Sequence, residues 1–527
     1  MTLFLISLIP YLIFSAYKTK KSFHMLQQNY YNDDNRYFKW ILVNINKVLL
    51  ETDILFVALI LTLFFDIGIE IGAFIILYGI IFLRYRNKKV VEKKPLVITH
   101  RIKRLSITVA ILYLVAIIPL IINFSYEALV YEYVILGAIT YFNYFVVMTA
   151  NTINKPIEKI VYLYYKIKAQ DKLKKLDIPV VGITGSYGKT STKNIINDIL
   201  NVKYNVFATP KSFNTPYGLM NAVNNHLDKF NDMFIAEMGA FKIGEIKQNC
   251  NLVHPKYGII TQIGEAHLET FGSKENIQKG KFELIESLPS DGLAILNRDD
   301  EYQVNYKIKN NVNVKWIGIE SEDVDLRAVN IRPTSKGTTF DCIFKGDENK
   351  YTFNTKLLGM HNIYNILCGI ILGYELGLKI EELKRGVSSI KTIEHRLELK
   401  KYGSINLIDD AYNSNPIGSK RALEVLKLMD GTKIIVTPGM VELGSKQYEL
   451  NYKFGEYISE VCDYVILIGK SQTKPIYDGL MNKKYESDKI FILNDVREAF
   501  PLMEKLKNND TYVLLENDLP DLFDERK

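Results

Sequence analysis

Five apolar runs crowd the first 150 residues of this 527-residue chain, at 3–16, 54–65, 69–83, 107–124 and 133–150. A helix of about 17–25 apolar residues crosses the hydrocarbon of a bilayer. The last two runs are long enough to do so. The first is short enough to be mistaken for a signal peptide, but no basic flank precedes it and no small-residue cleavage site follows. It is expected to be retained. The middle pair is joined by Asp66, Ile67, Gly68, Ile69, Glu70, Ile71 and Gly72. That pair forms either a tight helical hairpin or a re-entrant pair that does not fully cross, because one long helix would bury both carboxylates at high cost.

The net charge of +7 is concentrated around these runs. One loop carries Lys18, Lys20, Lys21, Arg36, Lys39 and Lys47. A second runs from Arg84 to Arg104, and a third segment begins at Lys155. The opposite turns are short and carry Asp66, Glu70, Glu127 and Glu132. By the positive-inside rule the basic loops are cytoplasmic, the N-terminus is outside and the rest of the chain is inside. Core helices of a soluble domain would not leave every loop obeying one charge rule. The same pattern argues against nucleic acid as the partner of the basic surface. Residues 151–176 read as a helix with Ile157, Ile160, Val161, Leu163, Tyr164 and Ile167 on one face and lysines on the other. Such a helix suits an anionic leaflet, and a plain linker helix is the alternative. Cys250, Cys342, Cys368 and Cys462 are scattered, as in a reducing compartment.

The remainder has the composition of a soluble α/β protein. It opens with a strand at 178–184, the loop Gly185-Ser186-Tyr187-Gly188-Lys189-Thr190-Ser191, and a helical run at 192–200. This is the geometry of a phosphate cradle: glycines turn backbone N–H groups toward the anion, the helix N-terminus favours it, and Lys189 reaches the β and γ oxygens. Thr190 is the magnesium ligand expected of the motif. The usual pattern has a glycine where Ile183 stands, so a chance turn is the plain alternative. The strand-to-helix context favours a nucleotide site.

This Thr-Gly-x-x-Gly-Lys-Thr loop resembles that of the Mur ligase family, the cytoplasmic enzymes that build the peptidoglycan stem peptide. Further matches run in order over residues 178–450, most similar to the branch that adds D-alanyl-D-alanine to a muramoyl tripeptide. Ser212-Phe213-Asn214-Thr215-Pro216 resembles the loop near the acyl substrate, which implies substrate contacts from Asn214 and Thr215. The resemblance makes Glu237, at the end of an apolar strand, a magnesium ligand, and His267, after a second strand, another. Lys281 falls where the family carries a lysine carbamylated by CO2, with Lys279 two residues away as its competitor. Gly359-Met360-His361-Asn362-Ile363-Tyr364-Asn365 resembles the segment that approaches adenine through Asn362 and Asn365. Arg396, in Glu394-His395-Arg396-Leu397-Glu398, is expected at the ATP phosphates. Asp409 or Asp410 is expected at the ribose, and Tyr412, Asn413 and Asn415 near the reaction centre.

Three features depart from the family. The apolar region replaces the domain that grips the UDP-sugar. Asn451 stands where a histidine is common. The final strand runs into Glu516-Asn517-Asp518 instead of Lys-Gly-Ser.

The expected architecture is a transmembrane α-helical region at 1–150, a basic juxtamembrane helix at 151–176, a P-loop-type central ATP-binding domain at 177–392 and a Rossmann-like C-terminal domain at 393–527. The expected enzyme is an ATP-dependent, ADP-forming amide ligase. It works through an acyl phosphate, uses two magnesium ions, and adds D-alanyl-D-alanine or a similar amine to a muramoyl peptide. It is expected in the cell membrane as a multi-pass protein, with catalytic domains facing the cytoplasm and other cell-wall synthesis enzymes among its partners. A related ligase with a lipid-linked or polymeric, polyglutamate-like substrate is the second reading. A P-loop-driven transporter is the third, but no ABC-type signature is present and it leaves the 409–416 segment without a role. A degenerate ligase fits poorly, because the family's metal and phosphate positions are filled.

Overall fold

The structure is a computed structural model that describes residues 2–29, 31, 36–48, 67–86, 95–125, 128–264, 268–334, 336–392, 395–411, 414–441, 443–508 and 510–518. The chain divides into two compact units, Met1–Leu163 and Tyr164–Leu519.

The first unit is helical. Its principal helices are Thr2–Gln28, Ile67–Arg86, His100–Ile122, Leu129–Tyr141 and the start of Asn143–Leu176. Aromatic side chains fill its centre, where Tyr11, Phe14, Phe74 and Tyr78 are buried against one another. Two helices among the described residues, Thr2–Gln28 and His100–Ile122, are long and apolar enough to cross a membrane. The first run is thus part of a 27-residue helix, longer than its apolar stretch suggests. The run at 54–65 lies outside the described residues. The run at 133–150 was expected to cross as one helix, but Tyr131–Tyr141 and Asn143–Leu176 meet at a 70° bend. Asn143 sits at the break, buried, and donates its amide to Thr19 Oγ1 (2.8 Å) and the Tyr113 hydroxyl (2.9 Å). Hydropathy counts the run as continuous; this polar side chain, bonded to two other helices, marks the turn. Further along the second helix, Arg104 grips Glu158 through two hydrogen bonds of 2.7 and 2.8 Å.

The second unit holds two sheets. Strands β1 (Val180–Thr184), β2 (Val206–Ala208), β3 (Met233–Glu237), β4 (Tyr257–Ile260), β5 (Leu293–Asn297) and β6 (Asn313–Gly318) are parallel. With β7 (Leu326–Thr334), β8 (Gly337–Phe344) and β9 (Tyr351–Thr355) they form a nine-stranded sheet of order β2-β3-β1-β4-β5-β6-β7-β8-β9. β7, β8 and β9 pair antiparallel, so the sheet is mixed. The second sheet joins β10 (Glu398–Tyr402), β11 (Ile405–Asp410), β12 (Thr432–Thr437), β13 (Tyr464–Ile468), β14 (Ile490–Leu493) and β15 (Thr511–Glu516) in the order β10-β11-β15-β12-β13-β14. Only its edge strand β10 is antiparallel. Strands β1 and β3 are buried along their whole length, as strands covered on both faces must be.

The sheets bring carboxyl strand ends together. β1 lies between β3 and β4, so the loop after β1 meets the ends of both. The helix Lys189–Leu200 packs through Ile196 and Ile199 against Met360–Glu375, whose Gly369 allows the close approach. That contact fixes where Asn362 and Asn365 stand relative to the loop. Ile199 is fully buried. Ile199→Ala is expected to lower stability by about 2–5 kcal/mol, read as a lower denaturation midpoint of the purified protein. An unchanged midpoint contradicts this packing.

Candidate active site

The loop at 185–191 is shaped by what glycine permits. Gly185 has φ +151°, and a Cβ there would collide with Thr261 Oγ1. Gly188 (φ +80°) ends the turn and caps the Lys189–Leu200 helix. Thr261 donates its hydroxyl to the Tyr187 carbonyl, and Ser186 exchanges hydrogen bonds with Gly264 at 3.0 and 3.1 Å. The loop is therefore tied to the segment just after β4 and leads into the helix N-terminus at Gly188.

Lys189 folds over this loop and donates to the Gly185 (2.7 Å) and Ser186 (3.2 Å) carbonyls. Its ammonium is shielded from water, which pushes its pKa down to about 8. Glu237 opposes the shift and Arg396 adds to it. Thr190 donates to Glu237 Oε1 at 3.1 Å, and the Asn214 amide donates to the same oxygen at 3.1 Å. The other Glu237 oxygen is ion-paired with Lys193 at 3.1 Å, with both side chains almost completely buried. Lys193 also donates to the Lys211 carbonyl. It lies one helical turn beyond Lys189, and the i, i+4 spacing was the available signal for it.

Lys281 lies on the helix Lys274–Glu286 and is buried, whereas Lys279 is exposed. Burial, reinforced by the charge of Lys189, holds Lys281 well below the usual lysine range. His267, Tyr412 and Asn413 lie outside the described residues. Thr215 caps the helix Pro216–Asn225 by accepting from the Gly218 N–H at 3.3 Å.

Gly188, Ser191, Asn362, Asn365, Arg396 and Asn415 line one cleft between the two sheets. Asn365 accepts from the Thr192 hydroxyl (2.9 Å) and donates to Asn362 (3.2 Å), so the pair also joins its helix to the loop helix. Asn415 caps Pro416–Lys427 through the Gly418 N–H at 2.7 Å. Of the two aspartates ending β11, Asp410 lines the cleft. Asp409 is engaged by His395 (2.7 Å) and Lys400 (2.9 Å) and is not among the lining residues. Successive residues of a strand face opposite sides, so only one of the pair can face the cleft.

The cleft also includes His361, Arg421 and Glu516. Burial and two nearby arginines push His361 down to about 3, which keeps its imidazole neutral. Arg421 donates to Gln262 at 3.1 Å and joins the two sheets' domains across the cleft. Nothing local marks Arg421 in the sequence. Among the departures, Asn451 is buried and structural: it accepts from the Met440 N–H at 2.8 Å and donates to the Met440 carbonyl at 3.0 Å. The Asn517 amide donates to the adjacent Gly439 carbonyl.

This geometry stands beside its comparisons. The Mur ligase middle domain matches residues 183–373, and the Mur ligase glutamate ligase domain matches residues 395–515. The UDP-N-acetylmuramoyl-tripeptide–D-alanyl-D-alanine ligase of Bacillus subtilis is 32% identical over 345 residues, which is 65% of this chain and 72% of that protein. The chain belongs to the Mur ligase family. The enzyme of the same name from Escherichia coli is 30% identical over 294 residues, covering 55% of this chain and 64% of that protein. The MurF ligase of Thermotoga maritima, solved in complex with ADP, superimposes with a TM-score of 0.61 at 26% identity, over 69% of this chain and 82% of that one. The chain is thus a ligase of the ATP-dependent, ADP-forming kind.

Among the described residues of this Mur ligase, the Lys193–Glu237 pair is the most deeply buried ion pair of the site. Lys193→Met leaves Glu237 without its cation and is expected to cost about 3–5 kcal/mol of stability. The double change Lys193→Met with Glu237→Gln is expected to recover most of it in denaturant titrations. A stable single variant contradicts the pairing.

Proposed function

We propose that this Mur ligase joins D-alanyl-D-alanine to a UDP-linked muramoyl tripeptide. The carboxylate of the tripeptide takes the γ-phosphoryl group of ATP, giving an acyl phosphate and ADP. The dipeptide amine attacks that carbonyl, and phosphate leaves as the amide forms. The observation that carries this reading is the cleft itself. Gly188 and Ser191, of the glycine loop that carries the shielded Lys189, line one wall, and Arg396 lines the other. Cations of this kind offset the charge that builds on a transferring phosphoryl group. The names of the relatives supply the substrates.

In this reading the strand, loop and helix from β1 are of the P-loop type, and the second sheet with its helices is Rossmann-like. Residues 177–392 form the ATP-binding domain and 393–527 the C-terminal domain. Asn362 and Asn365 meet the adenine, Asp410 meets the ribose, and the neutral His361 stays beside them without repelling the arginines. Asn214 and Asn415 face the substrates.

The hydroxyl of Thr190 and the carboxylate of Glu237 share one hydrogen bond at 3.1 Å and are hard oxygen donors of the sort magnesium takes. With His267 they would hold it, and bound magnesium supplies charge neutralisation for the phosphate oxygens. Burial and the charge of Lys189 hold Lys281 well below the usual lysine range, which favours its amine form. As a carbamate, formed by attack of that amine on CO2 with loss of one proton, Lys281 would be an anionic ligand able to hold a second magnesium.

The helical unit is read as a multi-pass membrane anchor with the ligase on the cytoplasmic side. Leu3, Ile6, Ile9 and Ile13 of the first helix, and Ile107, Ile111, Val115, Ile118 and Ile122 of another, are exposed apolar side chains at helical spacing. Such a surface fits lipid.

Two measurements test the reading. ADP release by the detergent-purified chain is expected to need both the UDP-muramoyl tripeptide and D-alanyl-D-alanine. Lys189→Ala is expected to reduce it by at least about a hundredfold. Release with neither substrate, or a fully active variant, overturns the ligase mechanism. For the anchor, a fluorophore on Ile111→Cys in vesicles is expected to be quenched by lipid-borne and not by aqueous quenchers. The native cysteines are buried and so spared from labelling. Quenching from water alone contradicts the membrane reading.

A further inference from the structure

Arg396 is held in an unusual way. Its neighbours His395 (φ +58°) and Leu397 (φ +49°) are both in the left-handed region, which non-glycine side chains disfavour. Strain of this kind persists only where surrounding contacts impose it. Here the contacts are acidic. His395 Nδ1 meets Asp409 Oδ2 at 2.7 Å, its N–H donates to Glu398 at 3.2 Å, and the Leu397 N–H donates to Asp410 Oδ1 at 3.2 Å. The turn is thus pinned on both sides of Arg396 to the end of β11.

Asp410 has a second acidic neighbour. β11 and β15 pair in parallel with Asp410 opposite Glu516, and both side chains line the cleft with Arg396. Glu516 is 1% exposed. Its Oε1 accepts from the Ser414 hydroxyl at 2.7 Å, and Ser414 is in turn hydrogen-bonded to Ser419. Its Oε2 is buried with no donor among the described residues. A buried carboxyl beside a half-buried one cannot ionise cheaply together with it, and one proton between them removes the repulsion and supplies the missing donor. Burial raises both groups, Asp410 to about 6 and Glu516 well above the usual carboxylate range.

We propose that Glu516, through a proton shared with Asp410, is a positioning residue for Arg396, and that loss of this proton draws Arg396 from the nucleotide onto the carboxylates. With one proton the pair carries a single negative charge, and Asp410 keeps an oxygen for Leu397. With none, two adjacent anions stand beside one arginine. The charged and titratable groups around the pair are Arg396, Asp409, His361 and Arg421, and Asp409 is already occupied by Lys400 and His395. This positioning role rests on the phosphate-binding role given to Arg396 under the proposed function.

The test is ATP affinity of the full-length purified protein from about pH 6 to about pH 9, for wild type, Glu516→Gln, Glu516→Ala and Arg396→Ala. Glutamine is permanently neutral and can donate to Asp410, so it mimics the protonated acid. The ratio of Glu516→Gln to wild-type affinity cancels the titration of Lys189. It is expected to rise about tenfold across the range. Glu516→Ala, which offers Asp410 no donor, is expected to bind ATP more weakly than Glu516→Gln at every pH. A ratio that stays constant with pH overturns the proposal, since a merely structural role lowers affinity by the same factor throughout. Should Arg396→Ala bind ATP like wild type, the phosphate role of Arg396 falls and this inference with it. If Arg396→Ala is weak while the ratio is flat, only the positioning role falls.

Discussion

A cation taken out of water must be met by an anion or give up its charge, and the catalytic half of this chain is arranged around that constraint. Lys193 is met by Glu237. Lys189 and Lys281 are not met to the same degree, and both are held below the ordinary lysine range. Under the proposed function an incoming polyphosphate would supply the missing negative charge. The surroundings follow from this. Glu237 must end β3, and β3 must lie beside β1, for its carboxylate to reach both Thr190 and Lys193. Gly185 must be glycine for the loop to pass Thr261 without a clash.

The opposite wall applies the same logic with the signs reversed. Three carboxyl groups, Asp409, Asp410 and Glu516, end neighbouring strands, and each is answered differently. Asp409 has Lys400 and His395. Asp410 has a backbone N–H and the nearby charge of Arg396. Glu516 has a serine hydroxyl and the other carboxyl. Arg421 bridges to Gln262 and joins this wall to the loop side of the cleft.

How much of this could be read in advance depended on range. The strand, glycine loop and helix at 178–200 were legible because every part is local: apolar run, glycines, then a capped helix. Lys281 could not be separated from Lys279 in the sequence, since the choice depends on which face of the Lys274–Glu286 helix is covered. Asp409 and Asp410 posed the same problem in a strand, where a shift of one residue changes the face. Lys193 and Arg421 act through partners 44 and 159 residues away; the i, i+4 spacing from Lys189 points to Lys193 without naming its partner, and no local pattern marks Arg421. The antiparallel strands β7 to β9 were not anticipated, although β8 alternates in burial along much of its length. In the helical unit hydropathy located the apolar runs, but it could not see the 70° bend at 133–150, because the hydrogen bonds of Asn143 reach side chains on two other helices.

The central claim is that ATP is cleaved to activate a carboxylate, and isotope transfer tests it directly. With both oxygens of the tripeptide's reacting carboxylate labelled with oxygen-18, one labelled oxygen is expected in every phosphate released during ligation. It becomes the bridge of the acyl phosphate and leaves with phosphorus when the amine attacks. Phosphate free of label would mean that ATP hydrolysis and carboxylate chemistry are separate, and the acyl-phosphate account of this site would be contradicted.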